Sequence, residues 1–152
     1  SWAIPPIGNH TLPRRNDLKY YTILIKIKSM KFESTHVKGK GRGKPMGFPT
    51  INLKIPDGFE LKDGIYAAKV NINKKLFIGA LHYGPVPTFN ESEKSLEVFL
   101  LGSSNNELEN LNEKIIEVEI VKYLRPVMKF NSKEELIKQI KEDVKNIQEL
   151  QI

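Results

Sequence analysis

Cysteine is absent from this chain, and that gap removes disulfide frameworks, thiolate zinc sites and cysteine nucleophiles together. Histidine is scarce. His10, His36 and His82 lie far apart, which leaves a histidine-based metal cluster without support. No apolar run is long enough to span a membrane, and no basic, apolar and cleavable succession marks a signal peptide. These gaps fit an intracellular protein, and the expected compartment is the cytoplasm. Acidic side chains are scarce in the first third. Residues 1–54 carry eleven Lys/Arg and two Asp/Glu, a net of +9, whereas the rest carries thirteen and sixteen, a net of −3, which together give +6. A basic third beside a near-neutral remainder suggests an anionic partner, either a nucleic acid or a small polyphosphate, and charge alone does not choose. A solvated basic face is the plainer explanation.

What is present is concentrated in residues 39–53, GKGRGKPMGFPTINL. Gly39, Gly41 and Gly43 alternate with Lys40, Arg42 and Lys44. Glycines let a backbone turn sharply and approach a ligand closely, and successive N–H groups in such a turn form an anion cradle. Arginine can also grip phosphate oxygens in a bidentate way. Thr50 and Asn52 follow, a hydroxyl and a carboxamide two residues apart. The familiar phosphate motifs do not match. A P-loop needs G-x-x-x-x-G-K-[ST], and here Lys44 is followed by Pro45; G-x-G-x-x-G fails because Gly47 comes one residue late. Pro45, Pro49 and Pro56 argue against a long helix after the loop. The stretch therefore reads as a glycine loop entering a strand, with a flexible basic hairpin as the alternative.

The 152 residues, 39% of them hydrophobic, are the size of one domain with a modest core. Residues 1–18 hold three prolines and no periodicity, which reads as an irregular arm. Alternation predicts a strand over 20–28. Met30 opens a segment of different character, so residues 1–30 are expected to be an extension and 31–152 the domain. Strands are expected over 32–38, 50–55, 65–73, 76–83, 96–101 and 116–124, with a hairpin turning at 73–75. Pro85 and Pro87 are expected to interrupt the fourth of these, and 102–113 to be a loop. Ser132 and Glu135 match the capping pattern S-x-x-E. Leu136, Ile137, Ile140, Val144 and Ile147 then recur at helical spacing. Several strands followed by one amphipathic helix predict a small antiparallel sheet or barrel with the helix packed on it.

The run from Gly39 to Leu53 resembles the signature of the riboflavin kinase family, the ATP-dependent flavokinases. Further segments agree in order and spacing: Gly64-Ile65-Tyr66-Ala67; Gly84 with Pro87-Thr88-Phe89; the strand around Glu97; and Leu124-Arg125-Pro126 with Lys129-Phe130. The likeness spans roughly residues 31–150. It implies a six-stranded antiparallel Greek-key β-barrel with one C-terminal helix. It also implies transfer of the ATP γ-phosphoryl group to the 5′-hydroxyl of riboflavin, giving FMN and ADP.

By the same resemblance, Glu97 is the catalytic carboxylate. Thr50 and Asn52 help hold Mg²⁺ and the nucleotide phosphates, and the loop from Gly39 to Lys44 cradles those phosphates. Arg125 lies near the flavin, between the barrel and the final helix. Residues i and i+2 of a strand share a face, so Thr50 and Asn52 can converge on one ion. Two neutral oxygens suit Mg²⁺, which keeps waters and phosphate oxygens as its other ligands. The residue-level alternatives are strand-surface polarity for Thr50 and Asn52, a solvent-facing Glu97, and a helix stripe that is simply core. The chain departs from the family at His82, where asparagine is usual, at Val86, where arginine is frequent, and at Gly102-Ser103, where Asp-Phe often stands; a Leu-Tyr-Gly element is not recognisable within 105–114. His82 is assigned no role. Nothing in residues 1–30 has the length of an adenylyltransferase domain, so a stand-alone, monomeric kinase ending at FMN is expected, without nucleic-acid or membrane partners. The alternatives are a non-catalytic flavin- or nucleotide-binding module of the same fold, and a nucleic-acid-binding small barrel.

Overall fold

The computed structural model describes residues 30–40 and 46–152. The strand expected over 20–28 lies outside them, as do Gly41, Arg42, Gly43 and Lys44. Among the described residues six strands form a closed antiparallel barrel in the order β1-β2-β5-β4-β3-β6. The strands are β1 (Lys31–Val37), β2 (Thr50–Leu53), β3 (Gly64–Ile72), β4 (Lys75–Val86), β5 (Glu91–Leu100) and β6 (Ile115–Arg125). Consecutive β3, β4 and β5 pair as neighbours, while β2 returns beside β5 and β6 beside β3. That is the Greek-key pattern on both sides of one meander.

Alternation explains the barrel interior. Ile51, Leu53, Val70, Leu81, Leu96, Val98, Leu100, Ile116, Val118 and Ile120 are all buried and form one cluster. The residues between them point outward. The β3–β4 hairpin turns at Asn73 and Lys74, whose φ values of 52° and 66° are both left-handed, as the turns that match strand twist require. Leu111 plugs the interior from the β5–β6 connection at 2% exposure.

Three elements differ from the alternation-based expectation. Strand β4 does not stop at Tyr83 but runs through Pro85 to Val86. A register shift against β5 between Gly84 and Val86 absorbs the missing proline donor, and Gly84 takes φ +134°, open to glycine. Strand β5 begins at Glu91 rather than Leu96; its polar first half carries no apolar alternation and so gives no signal. The connection after β5 contains a 3-10 turn, Asn105–Leu108, capped reciprocally by Ser104 and Glu107.

The helix α1 (Lys133–Glu149) starts where the capping pattern predicts. The Ser132 hydroxyl accepts from the Glu135 N–H at 3.2 Å. The Glu135 carboxylate reaches one residue further back than a capping box would, accepting from the Asn131 N–H at 3.1 Å. The helix packs on the outside of the barrel over β4. Its apolar stripe is not simply core: Ile147 is buried, whereas Leu136 and Ile140 are half-buried and line a cavity. The other buried residue of α1 is a carboxylate, Asp143.

Candidate functional site

Strand register builds the site. Asn52 of β2 pairs with Glu97 of β5, Glu97 with His82 of β4, His82 with Ile65 of β3, and Ile65 with Arg125 of β6. This row runs across the outer face of five strands, opposite in facing to the buried residues on either side. The next row pairs Thr50 with Phe99 and Phe99 with Ala80. A cavity of about 170 Å³ lies over both rows. The 3-10 turn Pro87–Phe89, residues 127–130 and the first half of α1 supply its other walls.

Lys40, Thr50, Asn52, Glu97 and Arg125 therefore line one space, although up to 85 residues separate them along the chain. Gly39 lies against Asn52: a Cβ there would come within 1.8 Å of Asn52 Nδ2. No side chain fits at that position unless Asn52 moves, so glycine lets the loop backbone reach the carboxamide. Lys40 pairs with Glu91 at the cavity's edge.

His82 was given no role from the sequence, yet it stands directly between Ile65 and Glu97. Its Nε2–H donates to the Pro85 carbonyl at 3.0 Å, which leaves Nδ1 to accept from the Ser95 hydroxyl at 3.4 Å. Burial pushes its pKa below the ordinary histidine value; Glu97 and the Pro85 bond oppose that shift, and Arg125 adds to it. The imidazole is neutral at pH 7. In the sequence it stood out only as a departure from the family-like pattern.

Arg125 is more committed than the sequence suggested. Its Nε and Nη2 donate to the two oxygens of Asp143, at 2.8 and 2.7 Å. Its Nη1 donates to the Pro126 carbonyl at 3.1 Å. The guanidinium also lies over the Phe130 ring, 5.8 Å from its centroid. The Phe130 N–H donates to the Thr88 hydroxyl at 3.1 Å, tying residues 127–130 to the 3-10 turn. Asp143, Thr88 and Phe130 were not foreseen as site residues.

Thr50 and Asn52 flank the buried Ile51 and present their side chains to the same space. Two neutral oxygens on one face, with a carboxylate on the facing strand, fit a hard cation that draws its remaining ligands from water and phosphate. Among the described residues no group of three or more His, Asp or Glu side chains could hold a metal unaided. An ion held by this pair would take its remaining ligands from outside the protein.

The Flavokinase family model, described as riboflavin kinase, matches residues 27–151. The chain belongs to the riboflavin kinase family. Among curated relatives, the RNA-binding riboflavin kinase RibR of Bacillus subtilis (strain 168) is 37% identical over 113 residues, 72% of this chain and 46% of that protein. The bifunctional riboflavin kinase/FMN adenylyltransferase of Listeria monocytogenes is 32% identical over 113 residues, 73% of this chain and 35% of that one. The bifunctional riboflavin kinase/FMN phosphatase of Arabidopsis thaliana is 35% identical over 113 residues, 70% and 29% respectively. The chain spans less than half the length of each of these relatives. Among solved structures, one described as a macrolide-efflux protein from Streptococcus pneumoniae superposes with a TM-score of 0.69 at 22% identity, over 95% of this chain and 50% of that one. At that identity the likeness concerns the fold alone, and it agrees with the barrel described above. No helix among the described residues is long and apolar enough to cross a membrane.

Proposed function

We propose that this riboflavin kinase family domain transfers the γ-phosphoryl group of ATP to the 5′-hydroxyl of riboflavin. The observation that carries the reading is the row Asn52–Glu97–His82 on one face of the cavity, a carboxylate set beside a neutral oxygen donor. A primary alcohol is a weak nucleophile. Glu97, within reach of a hydroxyl bound in the cavity, accepts its proton as the alkoxide oxygen bonds to the γ-phosphorus. The bond from that phosphorus to the β,γ-bridging oxygen breaks, and ADP leaves. Such a transfer depends mainly on positioning and on neutralising charge.

Thr50 and Asn52 would hold Mg²⁺, and when bound the ion would neutralise charge on the transferred phosphoryl group. Gly39 keeps the loop backbone against Asn52, and Lys40 adds positive charge at the cavity's edge. Gly41, Arg42, Gly43 and Lys44 would complete the phosphate cradle. The apolar walls from Phe99, Phe130, Leu136 and Ile140 suit a flat ring system. Arg125 contributes to the flavin side through the wall it anchors. A cytoplasmic monomer would meet both substrates directly.

The deciding experiment is a riboflavin-to-FMN assay with ATP and Mg²⁺ on this chain and on Glu97→Gln. Removing a general base costs roughly 10²–10⁴ in turnover, so product is expected from the unaltered chain and almost none from the variant, with riboflavin binding retained in both. Riboflavin binding without turnover in the unaltered chain would favour a non-catalytic flavin module.

A further inference from the structure

Helix α1 buries a carboxylate where its periodicity calls for an apolar side chain. Asp143 is 4% exposed. It sits three residues after the cavity-lining Ile140 and four before the buried Ile147, so it faces the barrel. Burying a carboxylate is costly unless it is fully partnered, and this one is. Both oxygens accept from Arg125, and Oδ1 also accepts from the Gln139 side-chain amide at 3.1 Å. Apolar residues of similar volume often stabilise as well as a buried ion pair does. What they lack is the fork geometry, which fixes distance, plane and rotation together.

Three parts of the molecule meet at this fork. Arg125 ends β6 and stands in register with Ile65, two steps along the row from His82 and three from Glu97. Asp143 belongs to the helix that carries Leu136 and Ile140 over the cavity. The third N–H engaged holds Pro126, where the strap of residues 126–131 begins, and the guanidinium face covers Phe130 of that strap. Three of arginine's five N–H donors are thus used in setting the helix and strap against the barrel. The nucleotide side of the cavity lies at Gly39, in the loop after β1, and at Thr50 and Asn52 on β2, and none of these residues is a hydrogen-bond partner of the fork.

We infer that Asp143 is a positioning residue for the phosphoryl acceptor: acting through Arg125, it sets the spacing of the two apolar walls between which the flavin ring lies, and leaves the nucleotide side unaffected. This rests on the riboflavin reading of the cavity.

The test is steady-state kinetics with each substrate varied, together with riboflavin binding by fluorescence quenching, on the unaltered chain, Asp143→Asn and Gln139→Ala. Asp143→Asn keeps shape and loses the charge. Misplacement of a binding wall by a fraction of an ångström is expected to raise riboflavin KM and Kd about tenfold, with ATP KM within about twofold. Gln139→Ala, which leaves the ion pair in place, is expected to move riboflavin Kd in the same direction by about threefold, and it decides the matter if Asp143→Asn does not fold. A merely structural pair would lower the melting temperature and leave the split between the two substrates unmoved. Equal rises for ATP and riboflavin, or unchanged riboflavin Kd in the folded variants, would overturn the inference. If the unaltered chain neither binds riboflavin nor makes FMN, the kinase reading fails first and takes the inference with it. An active unaltered chain with flavin-neutral variants sinks the inference alone.

Discussion

His82 is held at both ring nitrogens, between a proline carbonyl and a serine hydroxyl, and its burial favours the uncharged form. Its folded-state pKa lies below the ordinary value of 6.5. Just below that value the unfolded chain therefore binds more protons than the folded one. Stability is complete above it and is lost as pH falls through it. The expected outcome is a denaturation midpoint that drops between about pH 7 and pH 5 more steeply for the native chain than for His82→Asn. Identical slopes for the two proteins would count against a buried neutral imidazole. At this scale legibility depended on chemistry. Glu97, Thr50 and Asn52 stood out through the family resemblance of their segments, with a lone acid and paired oxygens as chemistry consistent with it. Asp143 did not, because on a helix rich in Lys and Glu one more carboxylate looks like solvent-facing charge until its partner, 18 residues earlier, is known.

At the scale of elements, the capping residues of α1 set where its apolar face begins, and hence where Leu136 and Ile140 meet the cavity. Ser132→Ala removes the hydroxyl that accepts from the Glu135 N–H, and loss of such a cap costs about 1 kcal/mol. Thermal or urea denaturation should show that decrement, with riboflavin binding little changed because Glu135 still holds the Asn131 N–H. Denaturation curves that superpose would show that the cap is not stabilising. The start of α1 and the Asn73–Lys74 turn were readable because each rests on contacts within a few residues. The first half of β5 and the passage of β4 through Pro85 were not. Glu91 to Ser95 form a strand because β4 offers them partners, and pairing between strands leaves no mark on either one when the side chains are polar.

At the scale of the whole barrel, closure leaves no free sheet edge among the described residues and gathers the buried side chains into one cluster. Leu81 lies at its centre with no exposed surface, and Leu81→Ala should cost about 2–5 kcal/mol, the range for a large-to-small change in a close-packed core. Equilibrium unfolding in urea measures it, and a change under about 1 kcal/mol would mean that the interior can collapse around the loss. The sequence by itself determined the strand-rich class, the single C-terminal helix, the alternation of the apolar strands, and the family-like segments, because alternation, capping and local motifs are properties of neighbouring residues. Only the tertiary structure decided that Asn52, Glu97, His82, Ile65 and Arg125 form one row. It alone turned part of the helix stripe into a cavity wall, and it alone joined Arg125 to Asp143. Those outcomes depend on strand register and on helix docking, which are settled by summed packing over the closed barrel and by no short stretch of chain.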